Sequence, residues 1–140
     1  MTVRDVMTAN PTCCTQDTPL QDVAQMMVTC DCGEIPVVDS EKTRQPVGVV
    51  TDRDIVCRAV AEGRNPKDLP ASAVMTSPAV TVAVDGSIDE VIELMETHQI
   101  RRVPVVDQDG RICGIVSQAD IARHEPGTET GELVREVSAK

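Results

Sequence analysis

The chain has 140 residues, 23 acidic against 13 basic side chains, and a formal net charge of −10. That balance argues against non-specific nucleic-acid binding and adhesion to anionic membranes, both of which depend on clustered cations. A hydrophobic share of 41% beside 26% charge excludes a disordered chain; without Phe, Tyr or Trp, any core must be built from Val, Ile, Leu, Met and Ala.

In chain order, Val3 to Met7 forms a short opening segment, followed by a turn at Asn10-Pro11 and a short strand over Cys13 to Thr15. Thr18 followed by Pro19 reads as a helix start, a cap with Pro in the first turn. Leu20, Val23, Met26, Met27 and Cys30 then recur at helical spacing, with Gly33 as the expected stop. Ile35 to Val38 suits a buried strand, Ser40 to Gln45 a polar turn, and Val47 to Thr51 a second strand. A helix is expected over Asp52 to Ala61, closed off by Arg64-Asn65-Pro66.

The same order then returns. Ala73 to Thr76 leads in and Ala79 to Val82 is strand-like, while the helix from Ile88 to His98 turns Ile88, Val91, Ile92 and Met95 inward. Val103 to Val106 and Arg111 to Ser117 are strands around the turn Asp107-Gln108-Asp109-Gly110. Ala119 to Arg123 begins the last helix of the repeat, Pro126-Gly127 breaks the chain, and Leu133, Val134 and Val137 mark one face of a short helix over 129–137. No run of 18 apolar residues is present to span a membrane, and the N-terminus lacks the apolar stretch of a signal peptide, so a cytoplasmic location is expected.

The recurrence is a duplication. Met7-Thr8 returns as Met75-Thr76, and Ile35-Pro36-Val37-Val38-Asp39 as Val103-Pro104-Val105-Val106-Asp107, both 68 positions on. Gly48-Val49-Val50-Thr51 with Asp54 returns as Gly114-Ile115-Val116-Ser117 with Asp120, 66 positions on. Either half alone would bury a marginal core, and pairing the halves relieves this. The expected organisation is an α/β (α+β) fold of two strand–helix–strand–strand–helix repeats about a pseudo-twofold axis. Residues 1–66 and 67–125 are the repeats, and 126–140 form a tail or short helix.

The sharpest pattern is Gly-x-x-(Thr/Ser)-x-x-Asp-Ile at the end of an apolar strand, found twice. Thr51 and Ser117 suit helix N-caps, and the acid three residues on completes a capping-box-like start. A cap alone does not explain why both copies follow a Gly-led strand. A helix start suits a phosphate, and an Asp one turn in suits two ribose hydroxyls, which together describe a nucleotide.

These segments, with Asp5-Val6-Met7-Thr8 and the run from His98 to Asp107, make the chain resemble a tandem pair of CBS domains, a Bateman module. The likeness covers about residues 1–124, and is greatest to stand-alone bacterial two-CBS proteins, including the hypoxic-response type. The resemblance implies a non-catalytic regulatory module with two adenosine-ligand sites in clefts between the repeats. In the first site, Asp120 would hold ribose and Ser117 a phosphate, Arg101 and Arg102 would face the phosphates, and Ile115 would line the base. Met7, Thr12, Cys32 and Gly33 would come from the first repeat. In the second, Asp54, Thr51 and Val49 play the matching parts, with Met75, Val80, Ile100 and Arg101 from the second repeat. The resemblance also implies a homodimer and an effector protein, with an adenine nucleotide as ligand, no required cofactor and no catalytic residues.

Arg101-Arg102 stands where the first repeat has Gly33-Glu34, so the Asp120 site is expected to favour anionic ligands, with Arg53 partly restoring charge to the other. The six cysteines carry a rival reading, a thiol or soft-metal sensor built around Cys30-x-Cys32 and Cys13-Cys14, with His98 at the position equivalent to Cys30. Their spacing matches no closed zinc site, and Cys13, Cys57 and Cys113 also suit small core positions. An interaction scaffold without working clefts is the third reading. No Ser-His-Asp, His-Glu-x-x-His or Walker-type constellation is present.

Overall fold

A computed structural model of the chain describes residues 1–124, so the helix expected over 129–137 lies outside the described residues. Contacts divide the described chain into two units, Thr12–Ala79 and Met1–Pro11 with residues 80–124. The division at residues 66 and 67 follows the order of the repeats in sequence. Packing instead gathers the first eleven residues with the second repeat, and the segment from 67 to 79 with the first.

The Thr12–Ala79 unit contains β2 (Cys14–Thr15), α2 (Leu20–Cys30), β3 (Glu34–Val38), β4 (Pro46–Thr51) and α3 (Asp52–Ile55). Strand β3 lies between β2, parallel to it, and β4, antiparallel. Its core joins Leu20, Val23 and Met27 of α2 to Cys14, Ile35, Val37, Val50, Ala59, Ala71 and Val74. Cys30 falls off this stripe and is exposed.

Three local expectations are corrected here. Thr18 does not cap α2: its hydroxyl accepts the Thr15 N–H at 2.9 Å, and the Leu20 N–H donates to the Leu69 carbonyl at 2.8 Å. Gly33 is not the helix stop. Asp31 takes the left-handed conformation (φ 53), a role that Asp tolerates better than most side chains, and the Cys32 N–H closes on the Met27 carbonyl at 3.1 Å. The helix expected over Asp52 to Ala61 is one α-turn followed by a π-helical turn, Val56–Val60, with the Ala61 N–H donating to the Val56 carbonyl at 2.8 Å.

The other unit contains α1 (Val3–Val6), β1 (Thr8–Ala9), β5 (Val82–Ala83), α4 (Ile88–His98), β6 (Arg102–Val106), β7 (Ile112–Ser117) and α5 (Gln118–His124). Its sheet order is β1-β7-β6-β5. The opening segment is a helical turn, with the Thr2 N–H donating to Asp5 Oδ2 at 2.7 Å and Val3 and Val6 buried. Ser87 caps α4 by accepting the Glu90 N–H at 3.2 Å. Ile88, Val91, Ile92 and Met95 are all buried, as the helical spacing predicts, and Gln99 (φ 54) ends α4 as Asp31 ends α2.

The two sheets share one register. Cys14 opposes Val37 as Val82 opposes Val105, and Ile35 opposes Val50 as Val103 opposes Val116. The change of offset from 68 to 66 therefore falls in the hairpin turn. In the longer turn, Asp39 Oδ1 accepts from Thr43 Oγ1 (2.7 Å) and the Ser40 and Gln45 N–H groups (2.8 and 2.9 Å). In the shorter one, Asp107 Oδ1 accepts the Asp109 and Arg111 N–H groups at 2.9 and 3.0 Å.

Each sheet edge is completed by a lead-in segment. Thr8 lies opposite Ile115 on β7, and Thr76 opposite Val49 on β4. Met7 and Met75, one residue earlier, lie against the motif glycines. A Cβ on Gly114 would stand 2.4 Å from Met7 Sδ; one on Gly48 would stand 2.7 Å from the Thr76 carbonyl oxygen and 3.2 Å from Met75 Sδ. The glycine that opens each motif is thus the residue that admits the lead-in chain.

Candidate functional site

Both motifs fold as their plainer reading requires. The Ser117 N–H donates to Asp120 Oδ2 at 2.9 Å and the Asp120 N–H returns to Ser117 Oγ at 3.1 Å. Thr51 and Asp54 repeat the exchange at 3.0 Å in each direction. What goes beyond a cap is burial: Asp120 is 5% exposed, Ser117 8% and Asp54 9%. A buried carboxylate needs partners on both oxygens, and the two units supply them differently. Asp120 Oδ1 is held by the Arg123 guanidinium. Asp54 accepts the Thr76 hydroxyl at 3.3 Å, and Arg58 Nε stands 3.9 Å from its Oδ1. Arg58 itself is anchored through Nη1 to the carbonyls of Val74 (3.1 Å) and Met75 (2.9 Å).

Arg58, Thr76 and Arg123 are neighbours of the motif that sequence reading did not select. A basic residue three or four positions after each acid, on one helical face, is the signal that finds the two arginines. Thr76 carries no such local signal, because its contact with Asp54 depends on the lead-in segment.

The arginine pair lies beside the motif. Arg102 starts β6 directly opposite Ser117, and the Gln118 N–H donates to the Arg101 carbonyl at 3.0 Å. In the other unit Glu34 takes the place opposite Thr51, and the Asp52 N–H donates to the Gly33 carbonyl at 2.9 Å. The charge difference between repeats therefore falls at equivalent points, one cationic and one anionic.

Of the residues assigned to the Asp120 site, Met7, Arg101, Arg102, Ile115, Ser117 and Asp120 share one unit, whereas Thr12, Cys32 and Gly33 belong to the other. Of those assigned to the Asp54 site, Val49, Thr51, Arg53, Asp54 and Met75 share a unit, and Val80, Ile100 and Arg101 belong to the other. Met7, assigned to the Asp120 site, packs on Gly114 of that motif, and Met75, assigned to the Asp54 site, packs on Gly48.

All six cysteines are thiols. Among the described residues, no group of three or more His, Cys, Asp or Glu side chains is placed to hold a metal ion. Cys30 is exposed, its thiol 3.4 Å from Thr12 Oγ1, and His98 is exposed at the end of α4. Cys14, 3% exposed, is pushed up to about 12, first by burial and then by its neighbour Cys13. Burial also raises Cys13, against the pull of Arg44, and Cys113.

A group whose folded value is raised contributes stability in full below its unfolded value, here 9.0, and loses it as pH climbs through the folded value near 12. Stability is thus expected to fall between these limits at up to about 1.4 kcal/mol per pH unit from Cys14 alone. Urea midpoints from pH 8 to 11 would show this slope flattened in Cys14→Ala; equal slopes in variant and wild type would contradict it.

The family model for the CBS domain matches residues 3–60 and again 71–127. The chain therefore belongs to the CBS-domain family and carries the domain twice. Hypoxic response protein 1 of Mycobacterium tuberculosis is 37% identical over 136 residues, covering 97% of this chain and 93% of that protein. Protein MK0525 of Methanopyrus kandleri is 36% identical over 123 residues, or 88% of this chain, and the chain spans only 59% of that protein's length.

Among solved structures, hypoxic response protein I with two coordinated zinc ions aligns with a TM-score of 0.81 at 40% identity, covering 90% of this chain and all of that one. CBSX2 in complex with AMP aligns at 0.74 and 27% identity (87% and 93% covered). The CBS domain pair of MJ0100 with 5-methylthioadenosine and S-adenosyl-L-methionine aligns at 0.76 and 28% identity (88% and 94% covered). Among the described residues no helix is long and apolar enough to cross a membrane.

Proposed function

We propose that the chain is a regulatory module that binds an adenosine-containing ligand and carries out no chemistry on it. The observation that carries this reading is the pair of buried aspartates, each fixed by a capping box at the end of a Gly-led strand. A carboxylate oriented in this way suits the vicinal hydroxyls of a ribose, which offer two donors to one acceptor group. Membership of the CBS-domain family supports it, since related domain pairs are complexed with AMP, 5-methylthioadenosine and S-adenosyl-L-methionine.

In this reading Asp120 and Asp54 accept the ribose hydroxyls. Ser117 and Thr51 stand beside the phosphate, Ile115 and Val49 line the base, and Met7 and Met75 add apolar wall. Arg101 and Arg102 set the Asp120 half-site toward anionic ligands, while Arg53 is the cation nearest in sequence to Asp54. Binding shifts the balance between conformations that a partner distinguishes, by no more than the ligand's differential affinity for them. A second copy of the chain and an effector protein are the partners of this reading, in a cytoplasmic setting.

The test is calorimetry of the full chain with AMP, ATP, NAD and S-adenosylmethionine. Saturable binding of at least one of these is expected. No heat from any of them at millimolar concentration would overturn the proposal.

A further inference from the structure

The two aspartates occupy equivalent places but are not equivalently held. In the Thr12–Ala79 unit, Asp54 is bonded by the neutral Thr76 hydroxyl, and its nearby cation, Arg58, is committed to the Val74 and Met75 carbonyls. In the other unit, Arg123 bonds Asp120 Oδ1 directly. The Arg123 side chain is 64% exposed while that of Asp120 is 7% exposed, so the guanidinium covers the acid from the solvent side. At the offset that relates the motifs, Arg123 corresponds to Cys57 and His124 to Arg58. His124 does not substitute for Arg58 at the acid, because its Nδ1 lies 2.9 Å from the Asp120 backbone oxygen. A cation hydrogen-bonded directly to the acid is therefore particular to the second motif.

From this the geometry points to Arg123 as a specificity-determining residue of the Asp120 half-site, selecting phosphate-bearing adenosine ligands over neutral nucleosides. This inference rests on the adenosine-ligand reading above.

The physical argument is an exchange of partners. Asp120 Oδ2 already accepts the Ser117 N–H, so a ribose diol that engages both oxygens meets Arg123 at Oδ1. A neutral nucleoside that displaces Arg123 breaks an ion pair and offers the guanidinium no anion in return. A nucleotide replaces the lost carboxylate contact with a phosphate, to which guanidinium bonds in the same charge-assisted, two-pronged way. The long, exposed side chain can swing from acid to phosphate without moving the helix. At Asp54 the hydrogen-bonded competitor is a hydroxyl, which a ribose hydroxyl replaces like for like, and Arg58, 3.9 Å from Oδ1, keeps its carbonyl partners, so selection is weaker there.

The test uses the full chain with Asp54→Ala as background, so that the Asp120 half-site dominates the signal. Affinities for AMP and adenosine are measured by calorimetry with Arg123, Arg123→Gln and Arg123→Lys. The AMP-to-adenosine preference is expected to drop on the order of tenfold in Arg123→Gln, and to recover in part in Arg123→Lys, with circular dichroism unchanged. An unchanged preference in Arg123→Gln, with both ligands still binding, overturns the role of Arg123 and leaves the adenosine reading standing. If neither ligand binds the wild-type chain, the adenosine reading itself falls, and this inference falls with it.

Discussion

Replacing Met95 with alanine is expected to cost about 2–5 kcal/mol of stability, the range for removing a large aliphatic side chain from a core. Met95 is fully buried on α4, in one cluster with Val91, Val103, Val105 and Val116, each also 0% exposed. These neighbours are β-branched and stiff about χ1, so they are poorly able to close around the space left behind. With no aromatic residue in the chain, no larger ring stands ready to slide into the gap. The matching residue of the other repeat, Met27, is 8% exposed, and its loss should cost less. Urea unfolding of both variants checks this: the Met95→Ala midpoint should fall further with an unchanged slope. A drop below about 1 kcal/mol would mean that the core repacks.

Asp120→Ala is expected to weaken adenosine-ligand binding by about 10- to 100-fold, the loss of one or two hydrogen bonds to a charged acceptor. The same change removes the acceptor of the Ser117 N–H and should cost roughly 1 kcal/mol of stability, as lost caps do. Asp120→Asn separates the two effects. It keeps an oxygen for the Ser117 N–H, and so the cap, but gives up the Arg123 ion pair and the charge that strengthens the ribose contact. Calorimetry with AMP beside thermal melts of both variants provides the check. Undiminished AMP affinity in both would show that the acid serves the fold alone.

Much of this molecule was readable from its residues. The stripe Ile88, Val91, Ile92, Met95 foretold the buried face of α4, and the paired Ile-Pro-Val-Val and Val-Pro-Val-Val runs foretold the central strands. The capping boxes at Thr51 and Ser117 were legible because their partners are three residues apart. Features settled by a competing neighbour or by distant chain were not. Thr18 looked like a cap until Thr15 claimed its hydroxyl, and Gly33 looked like a stop although Asp31 can take the same backbone shape. The residues completing the acids divide on the same line. Arg58 and Arg123 lie one turn away and could have been found by helical spacing, whereas Thr76 reaches Asp54 from 22 residues along the chain. The resemblance paired Met7 with the Asp120 motif and Met75 with the Asp54 motif, but linear order gave no reason for it, because neither methionine packs with the strand pair that follows it in sequence.

The crossing of the lead-in segments bears on how such a protein can be inherited. Cutting the gene between the two copies would strip β1 from one sheet and leave the flank of β7 bare, an invitation to intermolecular strand pairing. The other fragment would keep Met7 with no Gly114 to receive it. Neither copy is a self-sufficient cassette, so shuffling, fusion and loss should act on the doublet as one heritable block.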